Sequence, residues 1–274
     1  MTIAFIVLNY NNLEDTKCCI SSLLELSYCD KKIIVVDNAS PDNSYADLKN
    51  LYKDEDGVDF IQNEENYGFS KGNNIGCQYA IKKYDADLLC VINNDTYIED
   101  KDFCGKLIEV YKETEFDILA PCVWNVRKNY NQNPFYCPAN VEEVEREIAN
   151  IKRKSKYFKF GAVAYYLASK FYKNEITGKT LSGAACIFSR NYYSKYAEVF
   201  IEKTFMYNEE AFLYQRIVND NLKLVYNNEL VIYHSDGKST GKVYKNKIKK
   251  WKFQSEKILL ADEILLQYLT ENKD

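Results

Sequence analysis

The sequence predicts an α/β fold, in which a Rossmann-like, mostly parallel central sheet is flanked by helices. Apolar runs alternate with amphipathic stretches through the first 122 residues, a pattern typical of repeated strand–helix–strand units. The runs are rich in Val, Ile and Leu, as expected of strands that are buried on both faces. Polar clusters follow the runs, and ligands of such sheets bind beyond the carboxyl ends of the strands.

The elements of this first part follow one another in a regular order. The predicted strands are TIAFIVLNY, KKIIVVD, VDFIQN, LLCVIN and DILAPCV. The predicted helices between them are LEDTKCCISSLLEL, a short helix that ends near Tyr52, SKGNNIGCQYAIKKY and DKDFCGKLIEVYKET. Helical spacing in the first of these brings together on one face Leu13, Thr16, Ile20, Leu23 and Leu24.

Residues 123–180 interrupt the alternation. They are rich in Asn, Tyr, Phe and Lys, and we interpret them as an insertion over the edge of the sheet rather than a separate domain, with one helix-like stretch, VEEVEREIANIKRK. Regular structure resumes with TLSGAACIFSR, a helix at NYYSKYAEVF, a helix in FMYNEEAFLYQRIVND, and the strands LKLVYN and ELVIYH. We expect one domain over residues 1–240 and a basic amphipathic helical tail over residues 241–274.

Composition excludes several classes of protein. The 274 residues carry a net charge of only −4, so no basic field favours nucleic acid as a partner. Nine cysteines without a CxxC pair are typical of a reducing cytosol rather than of a disulfide framework. The N-terminus lacks the basic region of a signal peptide, and no apolar stretch reaches the roughly 20 residues that span a bilayer. We therefore expect a cytoplasmic protein.

Two strand ends near the N-terminus are candidate nucleotide sites. Asp37, in VVDNAS, ends an apolar run, where it would either bind a ribose or base or form an Asx turn. In NYGFSKGNNIG the three glycines have the spacing GxxxGxxxG, which differs from the dinucleotide fingerprint GxGxxG. Gly68 indicates a tight turn, and Gly72 either a backbone approach to a ligand or close helix packing.

The run LLCVIN stops at Asn93, Asn94 and Asp95. A carboxylate at a buried strand end is costly unless a cation meets it, and Mg²⁺ or Mn²⁺ commonly binds one carboxylate together with substrate phosphates. The alternative is a turn residue or helix cap. His234, the sole histidine, ends ELVIYH, where it is either structural or a second metal ligand. Gly237-Lys238-Ser239 lacks the upstream glycine of a phosphate-binding loop.

Glu209 and Glu210 open the helix that follows FMYN. Acidic residues in a first turn often complement the helix dipole. The functional alternative is that one of them, next to aromatic residues, has a raised pKa and accepts a proton from a hydroxyl group.

Taken in order, these segments resemble the inverting, metal-dependent nucleotide-sugar glycosyltransferases of family 2, with the GT-A fold. The resemblance spans about residues 2–240 and is greatest to the rhamnosyltransferase-like members that build bacterial surface polysaccharides. It rests on the segments IVLNYNN, VVDNASPDNS, NYGFSKGNN, INNDTYI, LSGAACIFSR, FMYNEEAFL and IYHSDGKS.

The resemblance implies a role for each candidate residue. Asp95 and His234 would bind Mn²⁺ or Mg²⁺, Glu210 would be the general base, and Glu209 would stand beside it. Gly183 and Ala184 would border the donor sugar. The other implied nucleotide-sugar-binding residues are Asn9, Asn11, Asp37, Asn38, Asn66, Gly68, Phe69, Gly72, Asn73, Asn93 and Asn94.

The sequence departs from the family pattern at two points. Asn93 stands where the first acid of the DXD-type motif is expected, and Ala211 and Phe212 follow Glu210 where a second acid is often found.

The expected reaction moves a sugar from a nucleoside-diphosphate donor, UDP- or dTDP-linked, to a saccharide or lipid-linked saccharide. Eight lysines and one acid between Lys238 and Lys257 favour contact with the inner face of the plasma membrane, unless this tail is a solvated helix or packs on a second subunit in a homodimer. The alternatives are a nucleotidylyltransferase, whose basic glycine-rich N-terminal loop is missing here, and a catalytically inactive nucleotide-sugar-binding or scaffold protein.

Overall fold

The computed structural model describes residues 1–171, 176–235 and 247–272. Gly237-Lys238-Ser239 and the first part of the lysine-rich tail lie outside these residues. Within them a nine-stranded sheet forms the centre of the fold. The strands of the described chain are β1 Ile3–Asn9, β2 Lys31–Asp37, β3 Val58–Gln62, β4 Leu88–Asn93, β5 Thr96–Tyr97, β6 Ile118–Asn125, β7 Tyr130–Asn131, β8 Phe135–Cys137, β9 Gly178–Thr180, β10 Ala185–Ser189 and β11 Leu224–His234.

The helices lie mainly on the two faces of this sheet. They are α1 Leu13–Leu24, α2 Ser44–Leu51, α3 Gly68–Tyr84, α4 Phe103–Thr114, α5 Val141–Ser155, α6 Ala162–Phe171, α7 Arg190–Tyr193, α8 Glu209–Asn219 and α9 Lys247–Glu271. A 3-10 helix over Lys156–Phe160 joins α5 to α6. α6 arises in a stretch for which the sequence predicts no helix.

The main sheet has the strand order β3-β2-β1-β4-β10-β6-β11-β5, and β7 pairs with β6. Its first four strands are parallel, which brings their carboxyl ends to one edge. β10 lies antiparallel between β4 and β6. β8 and β9 form a separate two-stranded sheet.

Alternating side chains of β1 supply two hydrophobic cores, because successive residues of a strand point to opposite faces. Ile3, Phe5 and Val7 pack in one cluster with side chains of α1 and α4. Ala4 and Ile6 pack in the other cluster with side chains of α3 and α8. The run is therefore apolar at every position because both faces are covered.

Two predictions for the later part of the chain are wrong in detail. The helix expected over NYYSKYAEVF is limited to Arg190–Tyr193. Tertiary hydrogen bonds hold the rest of that segment, since the Tyr192 hydroxyl donates to the Val199 carbonyl at 2.7 Å and Phe200 bonds to the Asn74 side chain. The two strands expected in LKLVYN and ELVIYH form the single strand β11, whose register shifts between Asn227 and Val231.

The C-terminal helix α9 packs on α5 and α8 of the same chain. Leu265 is fully buried in a cluster with Val144 and Phe212, and the ring of Tyr268 meets that of Phe212 edge-on at 5.2 Å. No helix among the described residues is both long and apolar enough to cross a bilayer.

Candidate active site

Hydrogen bonds join the carboxyl ends of three neighbouring strands. Asn9 at the end of β1 donates through Nδ2 to Oδ1 of Asp37 at the end of β2, at 2.7 Å. The Thr16 hydroxyl donates to Asn9 Oδ1 at 2.9 Å, and Asn94 donates through Nδ2 to that hydroxyl at 2.9 Å. The predicted polar clusters therefore meet at one edge of the sheet. Thr16, which the sequence places only on an apolar helix face, links them.

Asp37 is only 1% exposed, and its carboxylate is held by its own turn. It accepts hydrogen bonds from the Ser40 backbone N–H at 2.9 Å and from the Ser40 hydroxyl at 2.6 Å. That hydroxyl oxygen also accepts from the backbone N–H of Asn11, whose φ of 52° is left-handed. These contacts form an Asx-type turn, and binding of a ribose or base by Asp37 stays a prediction.

Asn38 fixes the loop that leads into α3. Its Nδ2 donates to Asn66 Oδ1 at 2.9 Å and to the Gly68 carbonyl at 3.0 Å. Its Oδ1 accepts from Asn63 Nδ2 and from the Tyr67 backbone N–H, both at 3.0 Å. One buried amide therefore ties the end of β2 to the loop after β3.

Gly68 makes the tight turn that the sequence predicts, with φ of 79°. A Cβ atom there would lie 2.1 Å from the Phe205 carbonyl oxygen, so only glycine fits. At Gly72 a Cβ would lie 2.7 Å from Cδ1 of Leu8. This contact corresponds to close helix packing, one of the two alternatives that the sequence leaves open for this glycine. Asn73 donates to the Phe69 carbonyl at 3.0 Å, and its buried Oδ1 has no hydrogen-bond partner among the described residues.

Asp95 and His234 meet at another point of the strand ends. Oδ1 of Asp95 lies 3.2 Å from Nε2 of His234. Nδ1 of His234 lies 2.6 Å from Gln132 Oε1, within hydrogen-bond distance. When the ring donates through Nδ1 to this oxygen, Nε2 keeps a lone pair that can bind a cation. Gln132 lies within the insertion, where the sequence carries no signal for this role.

The donor atoms of this pair fit a divalent cation. A carboxylate oxygen and an imidazole nitrogen are suitable ligands for Mn²⁺, whose remaining positions substrate oxygens or water would fill. No group of three or more His, Cys, Asp or Glu side chains suited to a metal occurs in the described parts of the chain. Within the described residues, Asp95 and His234 are the pair that would hold such an ion.

Glu209 and Glu210 lie in the first turn of α8. Oε1 of Glu210 accepts a hydrogen bond from the Gly183 backbone N–H at 3.0 Å, and burial raises the pKa of Glu210. Glu209 is 8% exposed, and burial together with the like charge of Glu210 raises its pKa to about 8. Its Oε1 has no hydrogen-bond partner in the described structure. The pKa is therefore raised at both carboxylates, whereas the sequence predicts it at one of them.

One turn connects the two halves of the site. Gly183 donates to Glu210, while the carbonyl of the next residue, Ala184, accepts from the Asn93 backbone N–H at 3.0 Å. The ring of Phe69 faces the same glycine, since a Cβ on Gly183 would lie 3.8 Å from its Cζ atom. The turn therefore contacts α8 and the end of β4, from which Asp95 follows two residues later.

The glycosyl transferase family 2 model matches residues 4–180, which is more than half of the chain. The chain belongs to glycosyl transferase family 2. The matched range of this family 2 chain ends before Gly183, so Glu209, Glu210 and His234 lie beyond it.

Curated relatives share part of this family 2 chain. The low-salt glycan biosynthesis hexosyltransferase Agl10 of Haloferax volcanii is 27% identical over 123 residues, 45% of this chain and 37% of the relative. The poly-beta-1,6-N-acetyl-D-glucosamine synthase of Staphylococcus epidermidis is 32% identical over 111 residues, 40% of this chain and 26% of the relative. The matches therefore span between 26% and 37% of the relatives' own length.

Solved structures share the fold. S. aureus TarS 1–349 superposes with a TM-score of 0.58 at 14% identity. The superposition covers 96% of this chain and 65% of the TarS chain. The mannosyltransferase PcManGT of Pyrobaculum calidifontis, in complex with GDP-Man and Mn²⁺, has a TM-score of 0.55 at 11% identity, with coverage of 96% and 69%. The predicted GT-A type of α/β fold is confirmed.

Proposed function

We propose that this chain is an inverting glycosyltransferase that moves a sugar from a nucleoside-diphosphate sugar to a hydroxyl group of a saccharide or lipid-linked saccharide. The product would belong to a bacterial surface polysaccharide. The observation that carries the proposal is the turn at Gly183 and Ala184, which contacts both a carboxylate of raised pKa and the strand end that carries Asp95. Family membership supports the reaction class.

Glu210 is the residue that we assign to proton transfer. Its hydrogen bond from Gly183 fixes Oε1, so Oε2 is the oxygen that would accept the proton of the acceptor hydroxyl. Burial raises the pKa of this carboxyl group toward the working pH, which makes it a better base. The proton would leave the hydroxyl as its oxygen attacks the anomeric carbon from the face opposite the diphosphate.

Asp95 and His234 are the residues that we assign to Mn²⁺ or Mg²⁺. When bound, the cation would neutralise charge that develops on the departing diphosphate. The close approach of Oδ1 and Nε2, 3.2 Å apart, supports the assignment, as does the Mn²⁺ of the PcManGT structure. Calorimetry of UDP binding with and without MnCl₂ tests it, because Asp95→Ala should abolish the gain in affinity that Mn²⁺ produces.

The donor is the partner with the most support. TarS structures contain UDP and UDP-GlcNAc, and PcManGT contains GDP-Man. For this chain we propose a UDP- or dTDP-sugar, bound along the strand ends by the residues that the sequence predicts. A thermal-shift screen of UDP-GlcNAc, UDP-glucose, dTDP-rhamnose and GDP-mannose with MnCl₂ would identify the donor class.

Contact with an anionic membrane surface at the cytoplasmic face would bring a lipid-linked acceptor to the site. A cavity of about 830 Å³ lies between α5, the 3-10 helix and α9, and its lysines are Lys152, Lys156, Lys159 and Lys252. Phe160, which follows Lys159 in the chain, is 67% exposed, and Val163 in α6 is 73% exposed. Lysines near anionic lipid contribute about 1 kcal/mol each.

Replacing the four cavity lysines by glutamate tests this contact better than removal of the tail, because α9 packs into the fold. The variant should lose flotation with phosphatidylglycerol vesicles. A matched variant that changes four exposed lysines elsewhere should keep it; suitable positions are Lys53, Lys82, Lys101 and Lys112. Equal flotation of the two variants would contradict the membrane contact.

Glu210→Gln tests the reaction itself. The amide keeps an acceptor for the Gly183 N–H but cannot take a proton, so turnover should fall by about 10²–10⁴-fold while UDP affinity is retained. Exposed Glu145 on α5 provides the control substitution, Glu145→Gln. Wild-type turnover in Glu210→Gln would contradict the base assignment. Donor binding without any turnover of the wild-type chain would favour the inactive binding protein.

A further inference from the structure

Asp262 on α9 is a buried carboxylate with an unusual environment. It is 0% exposed, and its Oδ1 accepts a hydrogen bond from Asn208 Nδ2 at 2.7 Å. Its Oδ2 has no hydrogen-bond partner among the described residues. A buried carboxylate with so few partners is costly, and an apolar residue would stabilise this helix face more. The single bond that it makes therefore suggests a task other than stability.

The partner of Asp262 begins the helix that carries the candidate base. Asn208 precedes α8, and its carbonyl accepts from the backbone N–H groups of Ala211 and Phe212 at 3.0 and 3.1 Å. An asparagine at this position commonly caps its own helix, but here the side chain makes no such bond. It reaches across to α9 instead.

The backbone before α8 is strained. Tyr207 has φ of 73° and Asn208 has φ of 65°, so two consecutive non-glycine residues are left-handed. Such residues are disfavoured and persist where the surrounding structure holds them. On the same segment, the amine of Lys257 from α9 lies 5.4 Å from the ring centroid of Phe205.

We propose that Asp262 is a positioning residue: through Asn208 it holds the left-handed entry into α8 and so places the carboxylates of Glu209 and Glu210. The importance of this placement for turnover rests on the proposed function. α9, which lies beyond the residues matched by the family model, would then be part of the catalytic unit rather than an appendage.

Burial and the charged groups around Asp262 change the pKa of its carboxyl group. Burial raises its pKa to about 7, and Glu147 on α5 and neighbouring Glu263 add to the effect. Lys154 and the bond from Asn208 oppose it. The carbonyl oxygen of the protonated group accepts from Asn208 as the carboxylate does, so the contact persists through neutral pH.

Three variants separate positioning from packing. Asp262→Leu removes the acceptor at similar size, Asp262→Asn keeps a carbonyl acceptor, and Leu265→Val disturbs α9 without touching Asn208. The first readout is hydrogen–deuterium exchange of the amides at the start of α8. Exchange should be at least tenfold faster in Asp262→Leu and near wild type in Asp262→Asn. It should be less than threefold faster in Leu265→Val, which loosens the packing of α9 on Phe212 but keeps the bond to Asn208.

A double variant provides the sharpest test. Glycine adopts a left-handed conformation without penalty, so Asn208→Gly relieves one of the two left-handed residues and should reduce the need for the bond from Asp262. In the Asp262→Leu background it should return the exchange rate to within threefold of wild type. Turnover, measured as hydrolysis of UDP-GlcNAc with MnCl₂, should fall tenfold or more in kcat in Asp262→Leu, with KM within twofold, and recover in the double variant.

Unchanged exchange in Asp262→Leu, or exchange that stays fast in the double variant, would overturn the proposal. So would altered exchange without loss of kcat. The exchange readout needs no substrate. A wild-type chain that hydrolyses neither UDP-GlcNAc nor the other sugar nucleotides of the screen would therefore contradict the proposed function, while exchange alone would still decide whether Asp262 holds the start of α8.

Discussion

Substitution of Gly183 by alanine should displace the candidate base without disturbing the fold. Gly183 has φ outside the left-handed region, so alanine meets no backbone strain there. Its added Cβ would lie 2.8 Å from Oε1 and 3.5 Å from Cδ of Glu210, at the far end of a side chain that can move. The methyl group therefore acts on the carboxylate rather than on the backbone.

The size of the effect follows from this contact. Ordinary contacts of a Cβ begin at 3.4 Å, so the oxygen must retreat by about 0.6 Å and strain its bond to the Gly183 N–H. Displacement by about 1 Å can cost a reaction about 10²-fold. We expect kcat to fall by about 10- to 100-fold, with the UDP affinity unchanged.

The assay is release of UDP from UDP-GlcNAc with MnCl₂, or from the donor that gives the largest thermal shift. Gly105→Ala, on α4, is the matched control, because its Cβ would lie 2.3 Å from Oδ1 of Asp102, an exposed carboxylate at the residue before that helix. The control should keep its kcat. A Gly183→Ala variant as active as the control would refute the assignment of Glu210.

Three further predictions concern the strand ends and the acidic pair. Asn38→Ala removes four hydrogen bonds of a buried amide and should lower the free energy of unfolding by about 2–4 kcal/mol, measured by urea denaturation. Glu209→Gln should stabilise the chain more at pH 9 than at pH 5. The folded wild type, with its pKa raised to about 8, holds a proton that the unfolded chain releases above about pH 4.5, so wild-type stability falls as pH rises through this window. The difference between the two pH values should be a few kcal/mol, and a constant difference would contradict it. His234→Ala should weaken Mn²⁺-dependent UDP binding tenfold or more by calorimetry, whereas a purely structural histidine would alter Tm and leave the Mn²⁺ dependence intact.

The strands of the first part of the fold were predictable because their signal is local. The predicted strand KKIIVVD has the same first and last residues as β2, since the run is covered on both faces and ends at Asp37. The prediction of a helix over NYYSKYAEVF was wrong because two hydrogen bonds compete with the helical spacing. One runs from the Tyr192 hydroxyl to the Val199 carbonyl, and the other joins Phe200 to the Asn74 side chain. The second of these contacts depends on α3, more than a hundred residues away along the chain.

The candidate site was predictable only in part, because some of its residues are brought together by contacts between distant parts of the chain. Asp95, His234 and Glu210 stand out as polar residues at the ends or starts of apolar elements. Gln132 and Asn208 carry no such mark. Asp262 does carry a signal that could have been read, because an acid stands among the leucines of ILLADEILLQYL at helical spacing.

For the first 122 residues the sequence by itself determined the main strands, the helices that cover them, and the polar groups that end them, because these properties follow from periodicity and composition within short windows. Tertiary structure alone decided that β10 lies between β4 and β6, that the turn at Gly183 meets Glu210, and that α9 reaches Asn208 through Asp262. Each of these contacts joins residues far apart in the chain, and packing of the whole core fixes their distances.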